Sequence, residues 1–519
     1  MDRWQTFSVV PEGGIIENLS PLIQGVRAPG SLIDARNFEP SPVGGYRRIK
    51  GYEKWDTNQI NSSSDTVDAV FMFNDSVLAL QGDVWYVSSG AGWTSLITMA
   101  STPLKPLATR YNWNGTDSII ICDGINAPIH YDGTTLTSMV ATNSVDGGTT
   151  ISSTTAANFL GAQAVQEFHG HMFWSVGEFI RFSAPGDVGL MDGTGGSGEL
   201  VTGTERLAMA PWRKELYLFG YDRIGKITGQ NSTNFIYENV THKVGTIDPR
   251  TVQEMNGDIY YLAFDGIRTI AGTVRNEDVE LGQVTRSIPN TMESLGFRNT
   301  GKEVHATAIR NSSQYRLFVG SSVLEDYEGE GLLGGIRHES HEDINLEWYK
   351  LKGINAACSD SAQYLTEEFV IHGGFDGYVY RQEKGNDFNG ANVDAFLQFP
   401  YWVITDPEIR KTLYKGKFYL KSASQIEPSV GYQYDYNIAN TTIQPPVQAL
   451  TTGTDGFDIY GTGGIEYGSA TYGSDFPINA DLNLQGSGNN VSFYFESNDT
   501  FTTWSLQSLV IEYAEDGRK

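Results

Sequence analysis

Residues 67–97 read VDAVFMF-NDS-VLALQ-GD-VWYVSS-GAG-WTSLI. Four short runs rich in Val, Phe, Trp and Leu are separated by Asn-Asp-Ser, Gly-Asp and Gly-Ala-Gly, residue types that supply the backbone geometry of tight turns. Runs this short, bounded by turn residues and enriched in β-formers, predict strands rather than helices. The stretch is therefore expected to be a four-stranded antiparallel meander.

The same unit recurs on either side of the turns that follow. It appears in LATRYNW-NGT-DSIIIC-DGINA-PIHY-DGT-TLTSM (107–139) and in AVQEF-HG-HMFWS-VG-EFIRF (164–182), and again from Arg206, Thr251, Val304 and Ile354. The starts lie roughly 40 to 55 residues apart, the period of a four-stranded blade that must stack on neighbours to bury its faces. About seven such units predict an all-β fold, a β-propeller over residues 56–386. A multi-sheet β-sandwich array is the alternative, because no Trp-Asp or kelch signature repeats. No segment of twelve or more residues free of Gly and Pro carries a helical apolar period.

Residues 1–55 precede the repeats and contain SPLIQGVRAPGSLIDARNFEPSPVGGYRRIKGYEKW. Their Pro and Gly content predicts an extended segment, which in a propeller supplies a ring-closing strand and in part reaches a neighbour. Beyond residue 386 the repeat is lost. Longer strands at 393–404, 413–422, 429–438, 490–497 and 504–514 predict an antiparallel β-sandwich over 387–519. Between them lies a Gly/Tyr-rich insertion, 441–489, with Tyr460-Gly461, Tyr467-Gly468 and Tyr472-Gly473, expected to project. Two smaller Gly-rich loops, 141–160 and 185–204, break the blade rhythm.

With 36 Lys+Arg against 62 Asp+Glu the chain carries a formal charge of -26. That balance excludes a protein whose whole surface grips nucleic acid, since such binding is driven by cations neutralising phosphates. It does not exclude a surface that DNA passes without adhering. Two cysteines, Cys122 and Cys358, supply neither a disulfide framework nor a four-ligand zinc site, and both sit in apolar runs expected to be buried. No apolar run approaches the roughly 18 residues of a membrane helix, and the start lacks the apolar core of a secretory signal, so no membrane insertion is expected and synthesis is placed in a cytoplasm.

Candidate chemistry is sparse. His338 and His341 are three apart in a loop where the HExxH zinc motif needs four apart on a helix, and His169-Gly-His171 reads as a turn. The stretch from Ser497 through Asp499 to Trp504 comes close to the Asp-box of sialidase-like propellers, with Phe501 where that family has Gly. The box is a structural turn and occurs once. No phosphate-binding loop or dinucleotide fingerprint is present, so no catalytic, metal or cofactor residue is assigned. Basic residues cluster at Arg47 and Arg48, and at Lys415, Lys417 and Lys421, where alternation puts three lysines on one strand face. That face is read as a solvated surface or, if functional, as a docking face for an acidic partner surface or a phosphate backbone. Asp455, Asp458, Glu466 and Asp475 of the insertion, with Asp187 and Asp192 of the 185–204 loop, are the candidates for lining a lumen or contacting neighbours.

LIDARNFEPSPVGGYRRIKGYEKW (32–55), MAPWRKELYLFGYDRIGKI (209–227), GGFDGYVYR (373–381) and the final WSLQSLVIEYA resemble, in this order, the tail nozzle proteins of short-tailed bacteriophages. The resemblance implies a non-enzymatic structural protein of the virion tail, without cofactor, assembled in the host cytoplasm. Such a protein forms a homo-oligomeric ring, expected to be a hexamer, below the portal and adaptor protein. It would retain packaged double-stranded DNA, conduct it non-specifically at ejection, and carry tail fibre or tail tip proteins. The alternative is a carbohydrate-binding or glycan-hydrolysing β-propeller tail protein, since Trp and Tyr suit sugar stacking.

Overall fold

Each face of the 67–97 meander has its own neighbour. The computed structural model describes residues 4–42, 44–113, 115–139, 158–276, 282–323, 327–337, 346–422, 426–437, 444–450 and 476–516, with the backbone of 144–145 and 149–150. In the first blade the strands Ala69–Phe73, Ser76–Gln81, Val84–Ser88 and Thr94–Thr98 pair in sequence order. Asn74, at φ 53°, and Gly82, at φ 64°, make its first two turns. Phe71, Leu78, Leu80 and Trp85 pack against Ile119, Ile129 and Tyr131 of the second blade. Val70, Met72, Val77 and Ala79, on the opposite face, pack against Cys358, Ile371 and Val379 of the last blade. Strand alternation thus yields two apolar faces, and only a stack of sheets buries both.

The structure is a β-propeller, with six free-standing blades rather than the seven expected. Blades two, three and four occupy Leu107–Trp113 to Leu136–Ser138, Ala164–Phe168 to Gly198–Val201, and Ala208–Trp212 to Ile236–Thr241. Blade five has three strands, Gln253–Met255, Asp258–Ala263 and Gly266–Thr269, followed by the helix Ile270–Asn276, whose Ala271 N–H is accepted by Asp258. Blade six comprises Ala356–Tyr364, Glu367–Gly374 and Val379–Gln382, and its fourth strand is Tyr52–Lys54 from the N-terminal segment, with Arg381 opposite Glu53.

The unit from Val304 is not an independent blade. Its first strand, Glu303–Ile309, does stand between blades five and six, where Gln253 Nε2 donates to Ala306 O and Ser361 Oγ donates to Ala308 O. Its fourth, Leu346–Lys352, runs parallel to the three-residue strand Asp34–Arg36, which pairs on its other side with Val393–Gln398. Val491–Asp499, Ser429–Tyr434 and Gln448–Ala449 then follow, so nine strands form one sheet. Ion pairs flank the stitch, Lys350–Asp34 at 2.7 Å and Arg36–Asp394 at 2.9 Å.

The second sandwich sheet has seven strands and includes Phe38–Pro40, Tyr46–Arg48, Trp504–Glu515, Lys411–Ser422 and Phe476–Asn483, with Gln5–Val9 on Trp504–Glu515. Its inward Phe418, Leu506 and Ile511 meet Val430, Phe493 and Phe495 of the nine-stranded sheet. The same core continues without a break into Leu317, Tyr260 and Ile267 of the propeller side. Residue 386 therefore divides the sequence pattern but not the core.

One carboxylate ties these parts together. Glu39 is fully buried; it accepts from Arg47 Nε at 2.7 Å and from Gln314 Nε2 at 2.6 Å, and Arg316 lies 3.6 Å away. Arg316 in turn reaches Gln382 at 3.1 Å and Glu383 at 2.5 Å, at the end of blade six. Removing one member of a buried charged network strands its partner without water, a loss of about 3–5 kcal/mol. Glu39→Ala is expected to lower unfolding stability by that order in urea titrations, with Glu39→Gln losing less. An unchanged midpoint for Glu39→Ala would show the network to be dispensable.

Candidate functional site

Three places concentrate polar chemistry: the propeller axis, a pocket at the junction with the sandwich, and the outer face of the seven-stranded sheet. At the axis the innermost strands enclose a cavity of about 330 Å³ lined by Asp68, Arg110, Gln166, Arg250, Glu254 and Asp360 among others. Arg110 of blade two forms an ion pair with Asp360 of blade six and donates to Met72 O of blade one at 2.9 Å. Arg250 holds Asp248 at 3.1 Å and Glu303 at 2.8 Å, and Lys105 approaches Asp248 at 2.6 Å. Burial works to raise the Asp248 carboxyl, but Arg250 and Lys105 outweigh it and hold the group below its ordinary value. Asp68 is shifted upward, by burial first and by Glu303, against the Gly82 N–H that it accepts. The axis of one chain is thus crossed by ion pairs at the scale of a small-molecule cavity.

Two buried histidines stand on the strands Glu303–Ile309 and Glu367–Gly374. His305 stacks on Phe318 at 5.4 Å, and neither ring nitrogen has a hydrogen-bond partner among the described residues. Burial, then Arg250, pushes its pKa well below the ordinary value. Burial lowers His372 to about 3, and Gln382 Nε2 donates to its Nδ1 at 3.2 Å. The unfolded chain takes up these protons near pH 6.5 while the folded chain refuses them, so stability is lost as pH falls below that value. His305→Phe, which keeps the stacking area, is expected to reduce the acid-side slope of unfolding free energy against pH by up to about 1.4 kcal/mol per unit between pH 6 and 4. Parallel slopes for variant and parent would show that His305 titrates normally in the fold.

The junction pocket, about 580 Å³, lies between blade six and the sandwich. Its wall is a cluster of rings: Tyr52 stacks on Phe388 at 5.0 Å and 15°, His372 stacks on Tyr380 at 5.0 Å and 19°, and Tyr52 meets both His372 and Tyr380 edge-on at 5.1 Å. Burial, with Asp376 adding, raises the Tyr52 hydroxyl to about 12. Asp376 accepts from Tyr380 Oη at 2.5 Å and from Tyr378 N at 3.2 Å. Asn392 and Asn498 stand on the exposed rim, where Asn392 Nδ2 donates to Asn498 O at 2.9 Å. Nothing in the sequence pattern gathers these residues, which come from position 52, from 328–394 and from 498.

The residues singled out from sequence fall elsewhere. Arg48 is not a docking group: its side chain is wholly buried and pairs with Asp499 at 2.6 Å while donating to Asn386 O at 3.0 Å. Arg47 is spent on Glu39. Lys415, Lys417 and Lys421 do lie on the outer sheet face, but Lys415 pairs with Asp481 at 2.5 Å and Lys417 stands 3.7 Å from Glu512. Asp187 caps its own turn through Gly189 N and Leu190 N, and Asp192 accepts from Thr194 N, whose bonds lower its pKa. The 185–204 stretch is in part the outer strand of blade three, Gly198–Val201. Asp455, Asp458, Glu466 and Asp475, like His338 and His341, lie outside the described residues. Asp499 of the box-like motif accepts from Phe501 N at 2.9 Å, a turn cap, besides binding Arg48. His169, at φ 51°, sits in a turn, and His171 donates from Nδ1 to Ser183 O. Cys122 and Cys358 are buried free thiols, and burial pushes both upward. Arg48→Ala is expected to cost about 3–5 kcal/mol in unfolding titrations, as a buried ion pair broken on one side does. Lys417→Ala is expected to leave the midpoint in place.

Among the described residues no group of three or more His, Cys, Asp and Glu side chains is arranged to hold a metal, and no helix is long and apolar enough to cross a membrane. No protein-family model matches the chain. No curated protein sequence matches it either. Among solved structures it is similar to an ancestral GH74 enzyme, at 11% identity and a TM-score of 0.39 over 67% of this chain and 50% of that one. It is also similar to the N-terminal domain of Nup159, at 9% identity and a TM-score of 0.33 over 67% of this chain and 97% of that one. The chain thus spans half the length of the GH74 protein. Likeness at this level carries no argument about activity.

Proposed function

We propose that the chain is a structural virion protein of the tail nozzle type. In this reading six copies form a ring below portal and adaptor in the virion tail, retain packaged DNA, conduct it at ejection, and offer attachment to tail fibre or tail tip proteins. The observation that carries it is the weld between domains. A continuous nine-stranded sheet and one shared core join propeller to sandwich, and the N-terminal segment contributes strands to both. A body built in this way transmits force through paired backbone and packed side chains, as a plug holding DNA requires.

The electrostatics support the same reading. A chain of formal charge -26, whose Lys415 and Lys417 are already matched by Asp481 and Glu512, offers little for phosphates to displace counterions from.

The test is location and retention. Gold-labelled antibody against the chain is expected at the tail axis of virions, and particles assembled without the chain are expected to lose their packaged DNA. Label confined to the capsid or fibres, or full DNA retention without the chain, would overturn the proposal.

A further inference from the structure

The junction pocket is not used as a binding site in the nozzle reading. We propose that it binds an uncharged sugar ring, the terminal or internal unit of a neutral oligosaccharide.

Four observations converge on that chemistry. The cavity, about 580 Å³, lies in the size range of small-ligand sites. Its ring cluster is fixed: Tyr52, Phe388, His372 and Tyr380 hold one another by two stacked and two edge-on contacts, so binding immobilises no rotamer there. Phe388, Tyr380 and His372 are buried in that cluster and Tyr52 is half-buried, so Tyr52 is the ring at the pocket surface against which the C–H groups of a sugar can pack.

The pocket lining also holds groups suited to hydroxyls, which both donate and accept. Asp376 forms no ion pair among the described residues, and Tyr380 and Tyr378 aim its carboxylate. The side-chain amide of Asn498 and the Oδ1 of Asn392 are uncommitted among the described residues, on an exposed rim.

The charges select against ionic ligands. Glu328 is matched by Lys352 at 3.1 Å and Asp394 by Arg36 at 2.9 Å, which leaves Asp376 as the pocket's unmatched charge. Burial keeps His372 neutral down to about pH 3, so it adds no positive charge. Phosphorylated, sulfated and sialylated units are therefore repelled. A quaternary ammonium needs several ring faces converging on one point. Here the rings lie face to face in pairs, and each pair spends two of its faces on itself.

The proposal stands apart from the nozzle reading, and its test does not depend on assembly. The intact chain would be applied to an array of neutral, sialylated and phosphorylated oligosaccharides. Hits would be measured by calorimetry beside maltotriose, chitotriose, choline and spermidine. Binding to neutral glycans is expected, weakened roughly ten-fold or more by the rim pair Asn392→Ala with Asn498→Ala, whose loss removes hydrogen bonds without touching the core. The melting temperature of that variant is expected to stay with the parent's. Lys417→Ala, on the outer face of the seven-stranded sheet and away from the pocket, is expected to bind as the parent does. No neutral glycan bound, preference for acidic glycans or for choline or spermidine, or affinity untouched by the rim variant would each overturn the proposal.

Discussion

A single buried carboxylate, Glu39, governs how the two halves of this chain meet. It belongs to a short hairpin, Phe38–Pro40 with Tyr46–Arg48, that is part of the sandwich, yet its partners Gln314 and Arg316 belong to the sheet that leaves the propeller. Arg316 extends the link to Glu383 at the end of the last blade, and Arg316, then Lys50 and Arg47, hold that acid below its ordinary value against the burial that would raise it. A second node repeats the arrangement. Glu347 binds Arg337 at 2.8 Å and accepts from Tyr349 and from Gly13 N, while Tyr46 donates to Gly30 O. Such buried charges add little net stability over an apolar core. Their effect is specificity, because any other docking of the N-terminal segment would leave them unpaired.

That specificity bears on the proposed role. Loops and hinges are where proteins move, and here the junction of the domains is made of strand pairing and a shared core. The Asp34–Arg36 strand is three residues long, but it is paired on both edges and bracketed by two ion pairs. Relative motion of propeller and sandwich would have to break these together.

The blades were legible because both faces of each strand are apolar and the turns are Asn- and Gly-rich, signals confined to about thirty residues at a time. The fate of the Val304 unit was not. Its strands read like any other blade, and what removes it from the set is pairing with Asp34–Arg36, some 315 residues away. The helix Pro21–Arg27 stands where the Pro and Gly content of the segment predicts extended chain, although Ser20 and Pro21 form a cap and first-turn signature, and it carries Gly25 within it. That glycine is there because a Cβ would meet the Tyr401 carbonyl. Arg47 and Arg48 looked like a basic patch because their acids, Glu39 and Asp499, are 8 and 451 residues distant. Sequence shows charge, while burial and partners are properties of the fold. The junction pocket, assembled from three distant segments, had no local signal at all.

The N-terminal segment sets a schedule for the chain's birth. Tyr52–Lys54 waits for Val379–Gln382, and Gln5 for Tyr513, 508 residues later. At ribosomal rates of about 5–20 residues per second Tyr52–Lys54 waits roughly a quarter of a minute to one minute for its blade, and Gln5 roughly half a minute to two minutes for its partner. Over that interval the unpaired Tyr52–Lys54 strand is open to the blade six of a copy completed earlier. On a polysome the neighbour's segment competes with the chain's own, and strand exchange between nascent copies becomes the characteristic misassembly of this architecture.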